Sequence, residues 1–153
     1  MNYWLMKSEP DCFSIDDLKS RPKKTEAWDG VRNYQARNFM RDGMKVGDGV
    51  FFYHSNCEIP GIVGLATIAS TAYPDPTQFI ADHEHYDPTA KPEEPRWLLV
   101  DVKYQRKLKR TISLAELKAQ EDRLPGFRLL MKGNRLSIIP VRPEHWDYIL
   151  SLE

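Results

Sequence analysis

V-F-F-Y-H-S, residues Val50–Ser55, is followed after the Pro60-Gly61 turn by the apolar run Ile62–Ala69. Both runs are rich in β-branched and aromatic residues, bounded by turn residues, and read as two strands paired in a hairpin. Period-two geometry puts Phe51, Tyr53 and Ser55 on one face and Phe52 and His54 on the other. Gly61 and Gly64 fit a bulge or a close backbone approach. The turn-rich Val46–Gly49 leads into the first strand.

Working outward, Tyr3–Lys7 is a short aromatic strand halted by Pro10. Ser14 caps a helix over Ile15–Lys19, with Asp16 and Asp17 at its positive end and Pro22 beyond it. Arg21–Glu26 reads as a polar loop. A weak helical stripe, Tyr34, Ala36, Phe39 and Met40, ends near Asp42-Gly43. Trp97–Tyr104 is a further strand, with Leu98, Val100, Val102 and Tyr104 facing the core and Trp97, Leu99 and Asp101 facing away; a basic tail follows over Lys103–Arg110. Ser113 caps Leu114–Gln120, with Glu116 as its capping-box partner. Arg135–Ile139 is a last strand stopped by Pro140, and Pro143 starts a helix to Leu152 with Trp146, Ile149 and Leu150 as its stripe. Tyr73–Pro95 is rich in Pro, Asp, His and Glu, longer than most connections, and so a candidate lid. About five strands and four short helices that do not alternate regularly indicate an α+β or barrel-like domain. No G-x-G-x-x-G or Walker-type loop is present.

The 153 residues suit one domain spanning 1–153, and 41% hydrophobic with 11% aromatic residues fits an ordered core. Lys plus Arg equals Asp plus Glu at 22 each, which excludes a general polyanion-coating role and leaves only a local basic patch for nucleic acid. The N-terminal apolar run is too short for a signal segment or membrane span, so no membrane partner is expected. Cys12 and Cys57 lack metal or redox spacing and suit a reducing compartment: cytoplasmic, or nuclear in a eukaryotic source.

Trp28–Phe39, W-D-G-V-R-N-Y-Q-A-R-N-F, combines a large ring, a turn at Asp29-Gly30 and planar groups on Arg32, Asn33, Gln35, Arg37 and Asn38. It suits the wall of a pocket for a flat heterocycle, and equally a buried Trp before a polar helix. Ser55 and His54 point to opposite faces, so the pair cannot form an activated nucleophile. His83 and His85 share a face of an extended segment but lack a third fixed ligand; no metal or cofactor is expected. Glu9 and Asp29 suit either an acid/base pair or an ion-pair network with Lys7 and Arg32. Lys103–Arg110 suits a phosphate strip or a lysine-protected edge strand, and Arg37 and Arg41 add to the first reading.

Taken together, Y-W-L-M-K-S-E-P at Tyr3–Pro10, W-D-G-V-R-N at Trp28–Asn33, F-Y-H-S at Phe52–Ser55, G-I-V-G at Gly61–Gly64, P-R-W-x-x-V-D-V at Pro95–Val102 and R-L-S-I-I-P-V at Arg135–Val141 resemble the EVE domain, in the family's order. The resemblance implies a PUA-like fold, a mixed β-barrel of five or six strands with short helices, related to YTH and ASCH domains. It implies a non-catalytic reader of a modified base, a methylated or otherwise altered cytosine in DNA rather than RNA, flipped into an aromatic pocket; a monomer is expected. By motif, Trp28 is the wall, Asn33 lies near the base edge, Lys7 and Ser8 come from the first strand, and Tyr53 and Ser55 from the hairpin. Arg135 and Ser137 come from the last strand, and Trp97 is a second aromatic wall. Arg37, Arg41, Lys107, Lys109 and Arg110 would hold phosphates. The alternatives are an ASCH-like hydrolase of a small modified nucleobase or nucleoside, an RNA-binding module, and a protein-interaction module.

Overall fold

In the computed structural model, which describes residues 1–153, the hairpin is the middle of a six-stranded sheet in the order β2-β7-β4-β3-β1-β8. In chain order the elements are β1 (Tyr3–Ser8), α1 (Ile15–Ser20), β2 (Thr25–Ala27), α2 (Tyr34–Asn38), β3 (Gly49–His54) and β4 (Gly61–Ile68). They continue with β5 (Tyr73–Pro74), β6 (Leu98–Leu99), β7 (Asp101–Ser113), α3 (Leu114–Ala119), β8 (Ile138–Val141) and α4 (Pro143–Ser151). β1 runs parallel to β3, whereas β3-β4, β4-β7, β2-β7 and β1-β8 are antiparallel. The sheet curls into a half-barrel. β5 and β6 make a separate two-stranded ladder.

The continuous apolar run of β3 has a direct cause: both faces of the sheet are covered. Val50 and Phe52 join Trp4, Met6, Trp28 and the α1 and α2 residues Ile15, Leu18 and Ala36 on one face. Phe51 and Tyr53 join Leu5, Ile62, Leu117, Trp146 and Ile149 on the other, under α3 and α4. Trp146 stacks on Phe51 at 4.0 Å and on Tyr3 at 4.5 Å between ring centroids. Buried Asp48 anchors the start of β3, accepting from Trp4 Nε1 at 3.0 Å, Lys45 N at 2.9 Å and Asn2 N at 3.1 Å.

Several expectations change. The basic tail belongs to the sheet, since β7 runs 13 residues to Ser113. The pairing of β4 with β7 slips between Ile62 and Gly64 and again between Leu65 and Ala66, which realises the expected glycine irregularity. A Cβ at Gly64 would lie 2.7 Å from Ile15 Cδ1. Along β7 the buried residues are Val102, Leu108 and Ile112; Val102 joins the core on one face of the sheet, and Leu108 and Ile112 join the core on the other. Because Val100 interrupts β6 and β7, Trp97 and Leu99 are buried and Leu98 is not, the reverse of strict alternation at that end.

Arg21–Glu26 is not simply loop: Pro22–Lys24 is a 3₁₀ turn and Thr25 begins β2. Pro140 lies inside β8, opposite Trp4, where an edge strand tolerates its missing N–H. Ser14 and Asp17 complete a capping box at α1. Ser113 accepts from Glu116 N at 3.1 Å, but the Glu116 carboxylate pairs with Arg110 at 2.7 Å instead of closing the box. Tyr73–Pro95 is tied down through fully buried Asp75 and Gln78, which fit a core element better than a free lid. Gln78 donates to Trp97 O at 2.8 Å and accepts from Trp97 N at 2.9 Å. No helix is long and apolar enough to cross a membrane.

Candidate functional site

Where β1 leaves the sheet, a cavity of about 360 Å³ opens between the β1 end, the loop after it and the turn after β2. Lys7 and Ser8 come from β1, Cys12 and Phe13 from the loop, and Glu26 to Asp29 from β2 and its turn; Glu84 and His85 close it from the long excursion. Trp28 is both readings at once: 7% exposed and part of a core, yet lining the cavity. Its ring meets Phe52 edge-on at 5.5 Å and Phe13 at 6.2 Å, and its amide donates to Val100 O at 2.9 Å.

The turn beside it is clamped from below. Gly30 has φ +80°, and a Cβ there would lie 2.5 Å from the His85 ring, so glycine serves both the backbone and the packing. Gly30 N donates to Asp75 Oδ2 at 2.8 Å; Thr77 N and Oγ1 donate to Asp75 Oδ1 at 2.8 and 2.6 Å. Arg32 donates to Asp75 Oδ2 at 3.0 Å, to His85 O at 2.7 Å and to Thr77 Oγ1 at 3.1 Å. Burial alone would raise the Asp75 carboxyl, but the donors from Thr77, Gly30 and Arg32 outweigh it and hold it below its ordinary value. Arg32, expected among the edge readers, is therefore a strut.

The cavity lining carries Lys7 against Glu26, Asp29 and Glu84. Burial lowers the Lys7 pKa; burial, then the Asp75 charge, raises that of Asp29. Both shifts are toward the neutral form, and Asp29 is an exposed residue that lines the cavity beside Trp28. Ser8 Oγ is occupied, donating to Phe13 O at 2.6 Å.

The remaining expected residues scatter. Asn33 is exposed and caps α2, accepting from Ala36 N at 2.9 Å. Tyr53 lies on the far face of the sheet, where burial pushes its pKa up to about 12; Lys7 Nζ is 6.0 Å from its ring. Ser55 does not line the cavity and ties its amide to Ser8 O at 3.0 Å. Ser137 contributes a carbonyl to Lys7 N at 2.9 Å, and Arg135 is exposed in the turn before β8. Phe13, Glu26, Glu84 and His85 line the cavity without having been singled out for it. Glu9 lies outside it, accepting from Asn56 at 3.0 Å.

Trp97 belongs to a different neighbourhood: it stacks on Tyr34 at 4.8 Å and donates to Asp87 Oδ2 at 2.7 Å. Beside Tyr34 is a second cavity, also about 360 Å³, lined by Arg37, Lys91, Glu94 and Arg96. The basic β7 strip is elsewhere and partly neutralised. Lys107 pairs with Asp16 at 3.1 Å, Arg106 with Glu153 at 2.8 Å and Arg110 with Glu116 at 2.7 Å; Lys109 N donates to Glu153 at 2.7 Å. Arg41 pairs with its neighbour Asp42 at 2.9 Å. His83 Nδ1 accepts from His85 N at 3.0 Å, and no group of three or more His, Cys, Asp or Glu is placed to hold a metal.

A curled mixed sheet, helices on both faces and a cavity at the open end of β1 define a PUA-like α+β domain. Residues 2–152 match the EVE domain, and the chain belongs to that family. It is 52% identical to human thymocyte nuclear protein 1 over 167 aligned residues, covering 99% of this chain and 74% of that protein. The crystal structure of human THYN1 protein in complex with 5-methylcytosine-containing DNA superposes with a TM-score of 0.92 at 50% identity, covering 99% and 97% of the two chains. A crystal structure of a Pseudomonas syringae protein is equally similar, with TM-score 0.92, 49% identity and 98% of each chain covered.

Proposed function

We propose that this chain is a DNA-binding module that takes a modified cytosine, flipped from its stack, into the Trp28 cavity. The carrying observation is the cavity itself, an aromatic wall next to an underused carboxyl at Asp29, in a fold shared with a relative whose structure holds 5-methylcytosine DNA. Extruding a base costs a few kcal/mol, and stacking on an aromatic ring returns about 1–3 kcal/mol per base, so the two nearly balance. A buried methyl adds about 0.8 kcal/mol, roughly 4-fold in affinity. Greater selectivity requires a polar edge contact. Asp29 supplies one in place of Asn33: its carboxylate oxygen accepts from the N4 amino group of cytosine and meets no donor at thymine O4.

Titration of duplexes carrying 5-methylcytosine, cytosine or thymine at one position tests the reading. The modified site should bind tightest; Trp28→Ala should lose about 5- to 150-fold, the equivalent of one stack, and Trp28→Phe should recover part of it. Equal binding of all three duplexes by the wild type would overturn it.

One observation favours a second reading. Lys7 and Asp29 share the cavity and both shift toward neutrality, the pattern of an acid/base pair in a hydrolase acting on a small nucleobase or nucleoside. Release of product from a modified nucleoside, with a bell-shaped pH profile lost in Asp29→Asn, would establish it.

A further inference from the structure

The second cavity brings three cations together around one concave surface. Arg37, Lys91 and Arg96 line it against one carboxylate, Glu94. On β7, Arg106, Lys107 and Arg110 are matched by carboxylates at 2.7 to 3.1 Å. Here the one carboxylate within ion-pair distance of Arg96 is Asp87 at 3.9 Å, already engaged by Trp97 Nε1 at 2.7 Å and Thr89 Oγ1 at 2.6 Å. Arg37 donates to Arg96 O at 2.9 Å and to Asn38 Oδ1 from Nε and Nη2, which leaves guanidinium N–H groups unused.

The site is also built on a firm base. The Tyr34 ring, 48% exposed, is held between Trp97 at 4.8 Å and the Arg37 guanidinium at 4.7 Å, and its hydroxyl accepts from Arg96 Nη1 at 2.8 Å. One segment connects it to the first cavity: Glu84 and His85 line that one, and Thr89, Lys91, Glu94, Pro95 and Arg96 line this one. The first cavity carries three carboxylates, of which Glu26 is paired with Arg21 at 2.7 Å, and one lysine, a balance that disfavours phosphate. A nucleotide that puts its base there must put its backbone elsewhere.

We propose that the Arg37–Lys91–Arg96 cavity binds phosphodiester, seating the backbone of the strand whose base enters the Trp28 cavity. The identity of that base rests on the reading above; the phosphate site does not. Each phosphate neutralised by Lys or Arg steepens the dependence of log K on log salt by about 0.9 on duplex DNA, which is about 3.5-fold in affinity between roughly 50 and 200 mM salt.

The test is a salt series on modified and unmodified duplexes. Lys91→Gln and Arg37→Gln should each flatten the slope by about 0.9 on both duplexes, while Lys91→Arg keeps it. Lys91 is exposed, so its loss does not threaten the fold. Trp28→Ala should lower the preference for the modified base and leave the slope alone. Loss of that preference in the wild type, with the slope effects intact, would remove the base reading and leave the phosphate site standing. Wild-type slopes in Lys91→Gln and Arg37→Gln would overturn the site, as would an equal flattening in the distant control Lys118→Gln. So would saturation of the Arg37 and Arg96 side-chain resonances by inorganic phosphate but not by either duplex.

Discussion

Asp75→Ala is the most informative single change, because one fully buried carboxylate joins the two segments that form the cavity. It strips acceptors from Gly30 N, Thr77 N, Thr77 Oγ1 and Arg32 Nη1. Removing one member of a buried ion pair costs about 3–5 kcal/mol. The Arg32 side chain is 23% exposed and keeps the His85 carbonyl, so the low end applies, about 3 kcal/mol. In a domain of this size that is roughly a 6 to 12 °C fall in melting temperature. Asp75→Asn keeps one acceptor and should lose about half as much, because it leaves fewer buried donors orphaned. The pH dependence has a definite sign. The folded pKa of Asp75 lies below its ordinary value of about 3.9, so the stabilisation is fully present above that pH and is lost as pH falls through the folded value. Urea unfolding at several pH values measures both effects. A loss under about 1 kcal/mol for Asp75→Ala, or an acid limb identical in Asp75→Asn and wild type, would refute the assignment of Asp75 as the keystone.

Gly30→Ala places a Cβ against the His85 ring at a φ of +80° and should cost about 2 kcal/mol while weakening binding of DNA, read by thermal melting and by titration. Phe51→Ala should cost about 3–5 kcal/mol yet leave any preference for the modified base unchanged, since Phe51 lies on the face of the sheet away from Trp28. Tyr53 and Tyr73, both with pKa values pushed up to about 12, should give a late step in an ultraviolet alkaline titration; a late step unchanged in Tyr53→Phe would contradict the placement of Tyr53.

The parts legible in the sequence were those whose signal is local. Val50–Ser55 reads as strand because it is apolar and β-branched or aromatic throughout, and Ser14 and Ser113 cap their helices through neighbouring amides. β7 was cut short because its buried residues are widely spaced among lysines and arginines, a consequence of register slips that only the partner strand imposes. β2 has three residues and none fully buried, so it has no pattern to read. At the site, Trp28, Lys7 and Ser8 could be placed because a strand end and a turn dipeptide mark them. Glu84 and His85 arrive from more than fifty residues away through Arg32 and Asp75, contacts that no spacing rule encodes. Asn33 is the instructive case: an Asn just ahead of a helical stripe is itself a capping signal, and the side chain is spent there.

Equal numbers of acidic and basic residues concealed how charge is distributed. One cavity gathers carboxylates beside a buried indole and the other gathers guanidinium groups beside an exposed phenol, along the same segment. For a ligand that is a polyanion with neutral bases this separation has a purpose: a base with an amino donor gains from the acidic lining, whereas a phosphate loses by entering it and gains next door. Under the proposed function, acid in the Trp28 cavity would act against the phosphate of the ligand and so help to orient the strand. The expected signature is opposite salt behaviour at the two cavities. Asp29→Asn should change the ratio of affinities for cytosine and thymine sites at every salt concentration, and Arg96→Gln should change the slope for both sites equally. A variant set in which Asp29→Asn alters the slope as much as Arg96→Gln would mean that the two cavities do not divide base from backbone.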